Sequence, residues 1–340
     1  MSLVEYLHCI VAGRNLSEDQ AYDAMMAILR GEASTAQIAA LLVGLRLKGE
    51  TVAELVGFAR AMRAMAQRVP VDLGGEPLLD TCGAGGDGAG TFNISTVAAF
   101  VVAGAGVRVA KHGNRSISSA CGSADLMDRL GIKLALDPAE LARAIREVGI
   151  GFLFAPALHP AMRYAQPARL ELKMRTVFNL LGPLANPAGA NVQVVGAPSV
   201  AAARLMAQAL ARLGLHRGFV VHGSDGLDEI TTTGPTLVFE IASGAVREYT
   251  VTPDDFGLPA ASAEDLRGGD VETNERIARE ILAGVRGPRR DVVLANAAAA
   301  LVAAGKARDF REGVALAAAS IDSGAARRKL GELAAFCASR

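Results

Sequence analysis

Residues Asp80–Gly131 read DTCGAGGDGAGTFNIST, an apolar run, then KHGNRSISSACGSADLMDRLG, and the remainder of the chain is organised around them. The apolar residues Pro77-Leu78-Leu79 feed glycines at 83, 85, 86, 88 and 90, and a helix-like run from Ser95 to Ala105 follows. A strand, a glycine loop and a helix start together let backbone N–H groups surround an anion at a helix N-terminus. No carboxylate occurs between Asp87 and Asp125, whereas Arg108, Lys111, His112 and Arg115 all fall in that gap. The stretch reads as a cradle for a phosphate-bearing ligand.

Two familiar phosphate motifs fit poorly. Gly83-x-Gly85-x-x-Gly88 matches the dinucleotide fingerprint, but that motif expects an acidic residue about 20 positions on. The corresponding window holds Arg108 and Lys111 instead. Gly85-x-x-x-x-Gly90 is followed by Thr91-Phe92, where a P-loop needs Lys-Ser/Thr. Ser95 and Thr96 can cap the helix, donate to phosphate oxygens or ligate a metal. Lys111 to Ser116, with Ser118 and Ser119, follows a buried-looking strand, and ligands gather at such strand ends. Asp228-Glu229 closes another predicted strand and reads either as turn acids or as carboxylates for Mg²⁺, which takes one or two of them plus substrate phosphates. Arg163, Arg169 and Arg175 recur every six residues, so they cannot share one helix face; each reads first as solvated surface.

Composition narrows the classes. Formal net charge is zero and the chain lacks Trp, which argues against a global basic field or stacking platforms for nucleic acid. Cys9, Cys82, Cys121 and Cys337 have neither zinc nor disulfide-framework spacing. The start MSLVEYLHCIVAG carries Glu5 and no basic n-region, and the longest apolar runs are too short to span a bilayer. A reduced, soluble, cytoplasmic protein is expected.

In chain order, residues 1–70 read as a helical unit. Ser2 with Glu5, Ser17 with Gln20, Ser34 with Gln37 and Thr51 with Glu54 form candidate capping boxes, and Gly13, Gly31, Gly49 and Pro70 mark the stops. From 71 to 340 the texture becomes α/β. Strands are expected at Leu78–Thr81, Val107–Ala110, Gly151–Phe154, Gln193–Gly196, Phe219–His222 and Leu237–Ile241, with helices from near Ser95, Ser123, Pro138 and Val200. That alternation predicts a largely parallel or mixed central sheet flanked by helices. Pro160–Thr176 reads as a long polar helix, followed by the loop FNLLGPLANP, and the segment about 160–182 is expected to rejoin the helical unit as a hinge. From Glu272 onward the chain reads as helical.

Several long motifs in order then carry a resemblance over nearly the whole chain: QIAALLVGLRLKGET, GGDGAGTFNIST, KHGNRSISS, FAPALHPAMR, RTVFNLLGPLANP, HGSDGLDEITTTGPT and GPRRDVVLANAAAAL. The chain resembles the anthranilate phosphoribosyltransferase family of the helical-plus-α/β phosphoribosyltransferase and nucleoside phosphorylase class. The resemblance implies transfer of a phosphoribosyl group from phosphoribosyl pyrophosphate to the amine of anthranilate. It implies a donor site formed by Gly83, Gly86, Asp87, Thr91, Asn93, Ile94, Ser95, Thr96, Lys111, His112, Gly113, Asn114, Arg115, Ser116, Ile117, Ser118, Ser119 and Ser123. It further implies Mg²⁺ at Ser95, Asp228 and Glu229, anthranilate at Gly83, Asn114 and Arg169, and a homodimer joined through helical domains; no general base is assigned. Ala84, Ala120-Cys121 and Lys173-Met174 depart from the family pattern, which more often has Thr, a basic residue with Ser, and Gly with Ile or Val there. A nucleoside phosphorylase is the nearest rival, disfavoured by the NIST segment and the Asp-Glu pair. A catalytically silent nucleic-acid binder is the other, disfavoured by neutral charge.

Overall fold

In the computed structural model, which describes residues 3–116 and 120–339, hydroxyl-and-acceptor pairs open the N-terminal helices. These are α1 (Leu3–Val11), α2 (Glu18–Leu29), α3 (Thr35–Lys48) and α4 (Val52–Met65). Ser17/Gln20, Ser34/Gln37 and Thr51/Glu54 each close a reciprocal box, satisfying two end donors that the helix cannot. Of the Ser2–Glu5 pair, Ser2 lies outside the described residues. Glu54 has a second task. Fully buried, it accepts from Leu16 N at 2.9 Å, Thr51 N at 2.8 Å and Lys48 Nζ at 3.0 Å, tying three helix starts and ends to one carboxylate.

The α/β part follows as β1 (Leu78–Gly83), α5 (Ile94–Gly104), β2 (Arg108–Gly113), α6 (Ser123–Arg129), α7 (Pro138–Glu147) and β3 (Ile150–Phe154). After four short helical pieces come β4 (Val192–Gly196), α11 (Val200–Arg212), β5 (Arg217–Gly223), β6 (Thr236–Ala242) and β7 (Ala245–Val251). Four helices finish the chain: α12 (Val271–Leu282), α13 (Pro288–Ala303), α14 (Phe310–Asp322) and α15 (Ala325–Ala338). One seven-stranded sheet runs β3-β2-β1-β4-β5-β6-β7, parallel through β5 and antiparallel thereafter. The expected mixed sheet is therefore observed. Helices α5 and α13 are apolar on nearly every face because they are buried on nearly every face.

Three expectations need correction. β2 runs on to Gly113, so Lys111 and His112 belong to the strand rather than to a loop after it. β7 was not expected: its residues AVREYTV are mostly exposed, so they lack an apolar face, and its hairpin turns at Ser243-Gly244 with φ of 51° and 78°. The long helix expected over Pro160–Thr176 is broken. It consists of a 3-10 turn (Pro160–Tyr164) between α8 (Ala155–Leu158) and α9 (Gln166–Leu172), and FNLLGPLANP contains α10 (Phe178–Leu181) rather than loop alone. Pro156, Pro160 and Pro167 each restart a piece, and Lys173 ends α9 in the left-handed region at φ 47°.

Two buried clusters result. One packs α5, α13 and α15 on one face of the sheet. The other joins α1–α4 to Ala161, Ala165, Ala168, Val177 and Phe178 and continues onto α11 and the opposite face at Val195, Val220 and Phe239. Removing one partner of a buried, fully bonded charge pair leaves the other uncompensated, at a cost of about 3–5 kcal/mol. Glu54→Ala is accordingly expected to lower unfolding free energy by about that amount in a denaturant titration. A change under about 1 kcal/mol would show that the hub contributes little.

Candidate functional site

The direction of strand addition reverses beside β1, and at such points the strand ends of an open α/β sheet part to leave a crevice. Gly83 ends β1 and Gly196 ends β4, directly opposite in the register. Both must lack a side chain, since a Cβ on Gly83 would stand 2.5 Å from Asp228 Oδ2 and one on Gly196 would meet the Asp228 carbonyl. Asp228 thus lies against the carboxyl ends of two central strands.

From there the acids reach the loop and the helix. Gly85 N–H donates to Asp228 Oδ2 at 2.8 Å, and Ser95 N–H donates to Glu229 Oε1 at 3.1 Å. Asp87 Oδ2 lies 3.5 Å from Asp228 N. Burial raises the Asp228 carboxyl well above its usual range, and repulsion from Glu229 and Asp87 adds to it. Glu229 is pushed up to about 7, again chiefly by burial, with Lys111 and the Ser95 bonds opposing. Lys111 answers from beneath. It is 1% exposed, and its Nζ donates to Thr81 O at 2.5 Å and to Ser95 Oγ at 3.4 Å. Burial lowers its pKa while Asp80 and the acids above it pull the other way. Asp80 is itself held by His112 N at 3.0 Å and Asn186 Nδ2 at 2.8 Å.

Some positioning residues escaped the sequence reading. Asn296 on α13 clasps Ile230 from both sides, accepting from its N at 3.0 Å and donating to its O at 2.8 Å, which fixes the chain just after Glu229. Asp225 accepts from Leu227 N, Thr231 Oγ1 and Thr233 Oγ1, folding the turn just before Asp228. Asn274 donates to Asn93 Oδ1 at 3.1 Å. An asparagine inside an apolar helix, as in LANAAAAL, is the signal that could have exposed Asn296, because a buried amide demands partners.

The remaining expected residues fall into groups. Gly83, Asp87, Ser95, Lys111, Asp228 and Glu229 converge as described. Gly86 holds φ 74° against Arg175 Nη1. Thr91 bridges to Arg267, Asn93 occupies the N-cap of α5, and Ile94 and Thr96 are buried in its first turn. Ser95 and Thr96 therefore do not cap the helix. Asn114 N and O bond Ser123 Oγ at 3.2 and 3.3 Å, and Gly113 lies under the same hydroxyl. The Arg115 guanidinium turns to Asp125 at 2.7 Å and Asp128 at 3.2 Å, while Ser116 N–H donates to Asp125. Ile117, Ser118 and Ser119 lie outside the described residues.

His112 turns its ring away from the glycine loop, toward Gly182 O at 3.2 Å and the His159 ring at 5.3 Å. Arg163 stays local, bonding Tyr164 Oη at 2.8 Å. Arg169 is stacked over Phe178 at 5.3 Å, makes no ion pair among the described residues, and has its pKa lowered by burial. Arg175 reaches the glycine loop. Neither of these two arginines is plain solvated surface.

Two carboxylates and the Ser95 hydroxyl form an all-oxygen donor set suited to a hard cation. Among the described residues no three His, Cys, Asp or Glu side chains form a metal-holding group, so the protein side of any such shell is partial. A groove of about 510 Å³ along α12 is lined by none of these residues. Its arginines are engaged with its glutamates, as in Arg129–Glu275 at 2.6 Å and Arg276–Glu280 at 2.9 Å.

Residues 4–66 match a glycosyl transferase family helical bundle domain and residues 75–327 match the a/b domain of that family. The chain is 66% identical over its full length to the full length of the anthranilate phosphoribosyltransferase of Solibacter usitatus. It is 57% identical to that of Moorella thermoacetica, over 96% of both chains. The solved anthranilate phosphoribosyltransferase of Thermus thermophilus superposes with a TM-score of 0.93 at 47% identity, covering 99% of this chain and all of that one. The Saccharomyces cerevisiae enzyme in complex with PRPP and Mg gives 0.92 at 28% identity, covering 99% of this chain and 98% of that one.

Burial pushes the His159 pKa down to about 3 and that of His112 to about 4, so both rings stay neutral in the folded protein where an unfolded histidine would charge. As pH falls below about 6.5 the unfolded chain takes up protons that the folded one refuses, and folded stability is lost. Each such ring contributes a slope of about 1.4 kcal/mol per pH unit. Buried Glu229 works in the opposite sense over part of this range, so the contribution is read as a difference. Between about pH 6 and 4, His159→Gln is expected to lose stability less steeply than wild type by about that slope. Parallel curves would assign the acid response elsewhere.

Proposed function

The chain belongs to the anthranilate phosphoribosyltransferase family, and from that premise we propose which of its residues carry the reaction. The activity is transfer of the 5-phosphoribosyl group from phosphoribosyl pyrophosphate to the amine of anthranilate. The products are N-(5-phosphoribosyl)anthranilate and pyrophosphate, and the step belongs to tryptophan biosynthesis. The observation that carries the residue assignment is the meeting of Asp228, Glu229, Lys111, the glycine loop and the α5 N-terminus at one crevice.

In this reading the amides of the 83–90 loop and of the first turn of α5 bind the diphosphate of the donor. Gly83, Gly86, Asp87, Thr91 and Asn93–Thr96 would form one wall and Lys111–Ser116 with Ser123 the other; Ile117, Ser118 and Ser119, which lie outside the described residues, are proposed as further donor contacts. Asp228, Glu229 and Ser95 would hold Mg²⁺, the hard cation that their oxygen donors suit. The yeast relative was solved with PRPP and Mg. When bound, the ion offsets charge on the departing diphosphate. Lys111 supplies fixed positive charge from below, and because it is buried its field is weakly screened. Arg169, over the Phe178 ring and free of acid partners among the described residues, would receive the anthranilate carboxylate, with Gly83 and Asn114 along the acceptor's edge. The yeast relative was also solved with 4-fluoroanthranilate.

Nucleophilic attack by the amine on C1 of the ribose expels pyrophosphate, and the proton lost is that of the new ammonium. A weakly basic arylamine loses it readily, so no side chain is assigned as general base. The catalytic contribution is positioning plus charge stabilisation. We further propose that residues 1–70, joined by the segment about 160–182, form one side of the cleft and the rest of 71–340 the other, with two copies associating through the helical side. Four free thiols fit a reducing cytoplasm, and no helix among the described residues is long and apolar enough to cross a membrane.

Incubation with anthranilate and phosphoribosyl pyrophosphate is expected to consume anthranilate fluorescence only when both the sugar donor and Mg²⁺ are present; persistence of fluorescence would refute the reading. Arg169→Ala should raise the anthranilate KM selectively, through loss of a charge-assisted bond of about 1.5–3 kcal/mol. Unchanged anthranilate kinetics would remove Arg169 from the acceptor site. Replacing Asp228 and Glu229 together by Ala should alter the Mg²⁺ dependence with the fold intact by circular dichroism, and a wild-type metal titration would sink the assignment.

A further inference from the structure

Arg175 emerges from the left-handed turn at Lys173 and enters the site from the α9 side, since α9 packs on α3. Its Nη1 donates to Gly85 O at 2.5 Å, and its Nη2 is buried without a hydrogen-bond partner. Asp228 and Asp87 attract the guanidinium electrostatically and Arg46, on α3, repels it. Gly86 holds φ 74°, where a side chain is strained, and a Cβ there would also press on Nη1.

Those contacts constrain the loop peptide by peptide. In a trans peptide the C=O and the following N–H point in opposite directions. Gly85 O is held by Arg175, so Gly86 N–H is turned away from it. The preceding peptide is fixed as well, through Gly85 N–H on Asp228 Oδ2. The loop is pinned at two successive peptides, one from each side of the crevice, and only one of the pins is a cation. A guanidinium presents donors in a rigid fork that matches phosphate oxygens.

Resting on the reading of the site as a phosphoribosyl pyrophosphate cleft, we propose that Arg175 is a positioning residue for the donor's diphosphate. It orients Gly86 N–H through the Gly85 carbonyl and offers its unpartnered Nη2 to a diphosphate oxygen. Its task is therefore separate from that of Arg169, six residues earlier, which faces the acceptor.

The test compares Arg175→Ala, Arg175→Lys and Arg175→Gln with wild type in two assays. One is calorimetric binding of inorganic pyrophosphate in the presence of Mg²⁺; the other is steady-state kinetics with each substrate varied in turn. Arg175→Ala is expected to raise the pyrophosphate Kd and the donor KM by about tenfold or more, with the anthranilate KM within about twofold of wild type. Arg175→Lys should recover part of the loss, since an ammonium can still donate to Gly85 O, and Arg175→Gln should recover less. A lower melting temperature with unchanged pyrophosphate Kd and donor KM would reduce Arg175 to a loop anchor and overturn the proposal. A rise confined to the anthranilate KM would also overturn it. If the Ala variant does not fold, the Lys and Gln variants decide the matter on the same two constants. If wild type binds pyrophosphate but never consumes anthranilate, the parent reading fails while the binding arm still reports on Arg175.

Discussion

Two backbone amides hold this molecule's chemistry in place: Gly85 N–H on Asp228 and Ser95 N–H on Glu229. They join the turn after β5 to two neighbouring pieces of chain 143 and 134 residues earlier, the loop after β1 and the start of α5. Each amide is a donor that regular structure leaves unused, one in a glycine turn and one in the first turn of a helix. Two adjacent carboxylates satisfy both. The arrangement is electrostatically expensive for the acids, which is why burial raises both of their pKa values. Adjacent buried carboxylates beside a glycine loop and a helix start make an oxygen-donor set that suits a hard cation.

The rest of the fold serves that meeting point. Sheet order places Gly83 and Gly196 side by side, so the acids can lie across two strand ends. Lys111 lies within β2 rather than beyond it, where its backbone is paired to β3 and its amine reaches Thr81 O on the neighbouring strand. A lysine on a loop could swing; this one is fixed by the sheet. Asn296 and Asp225 bracket the acidic turn, converting a surface loop into a rigid element.

Much of this was legible from local chemistry. Capping boxes give helix starts, because hydroxyl and acceptor three residues apart carry a mechanism; apolar runs between glycines give the first six strands. The acidic pair and the lysine stood out because no apolar packing explains them. What was hidden depended on the third dimension. β7 is an exposed edge strand and shows no buried face. Pro160–Thr176 read as one polar helix because its polar residues run on without a glycine, while its prolines restart it repeatedly. Arg169 and Arg175 looked equivalent by spacing. Only the left-handed break at Lys173 sends them in different directions, one onto Phe178 and the other onto Gly85.

That broken segment also has a bearing on how the chain acquires its shape during synthesis. Helices α1–α4 are contiguous and their contacts are local, the kind that form early and fast. Yet the apolar cluster they share is completed by Ala161, Ala165, Ala168, Val177 and Phe178, which reach the ribosome exit only after β1, β2 and β3. Vectorial emergence therefore leaves the first helices with an incomplete core while half of the sheet is being made. The nascent N-terminal bundle must wait, apolar side partly uncovered, for a piece of chain that follows the strands.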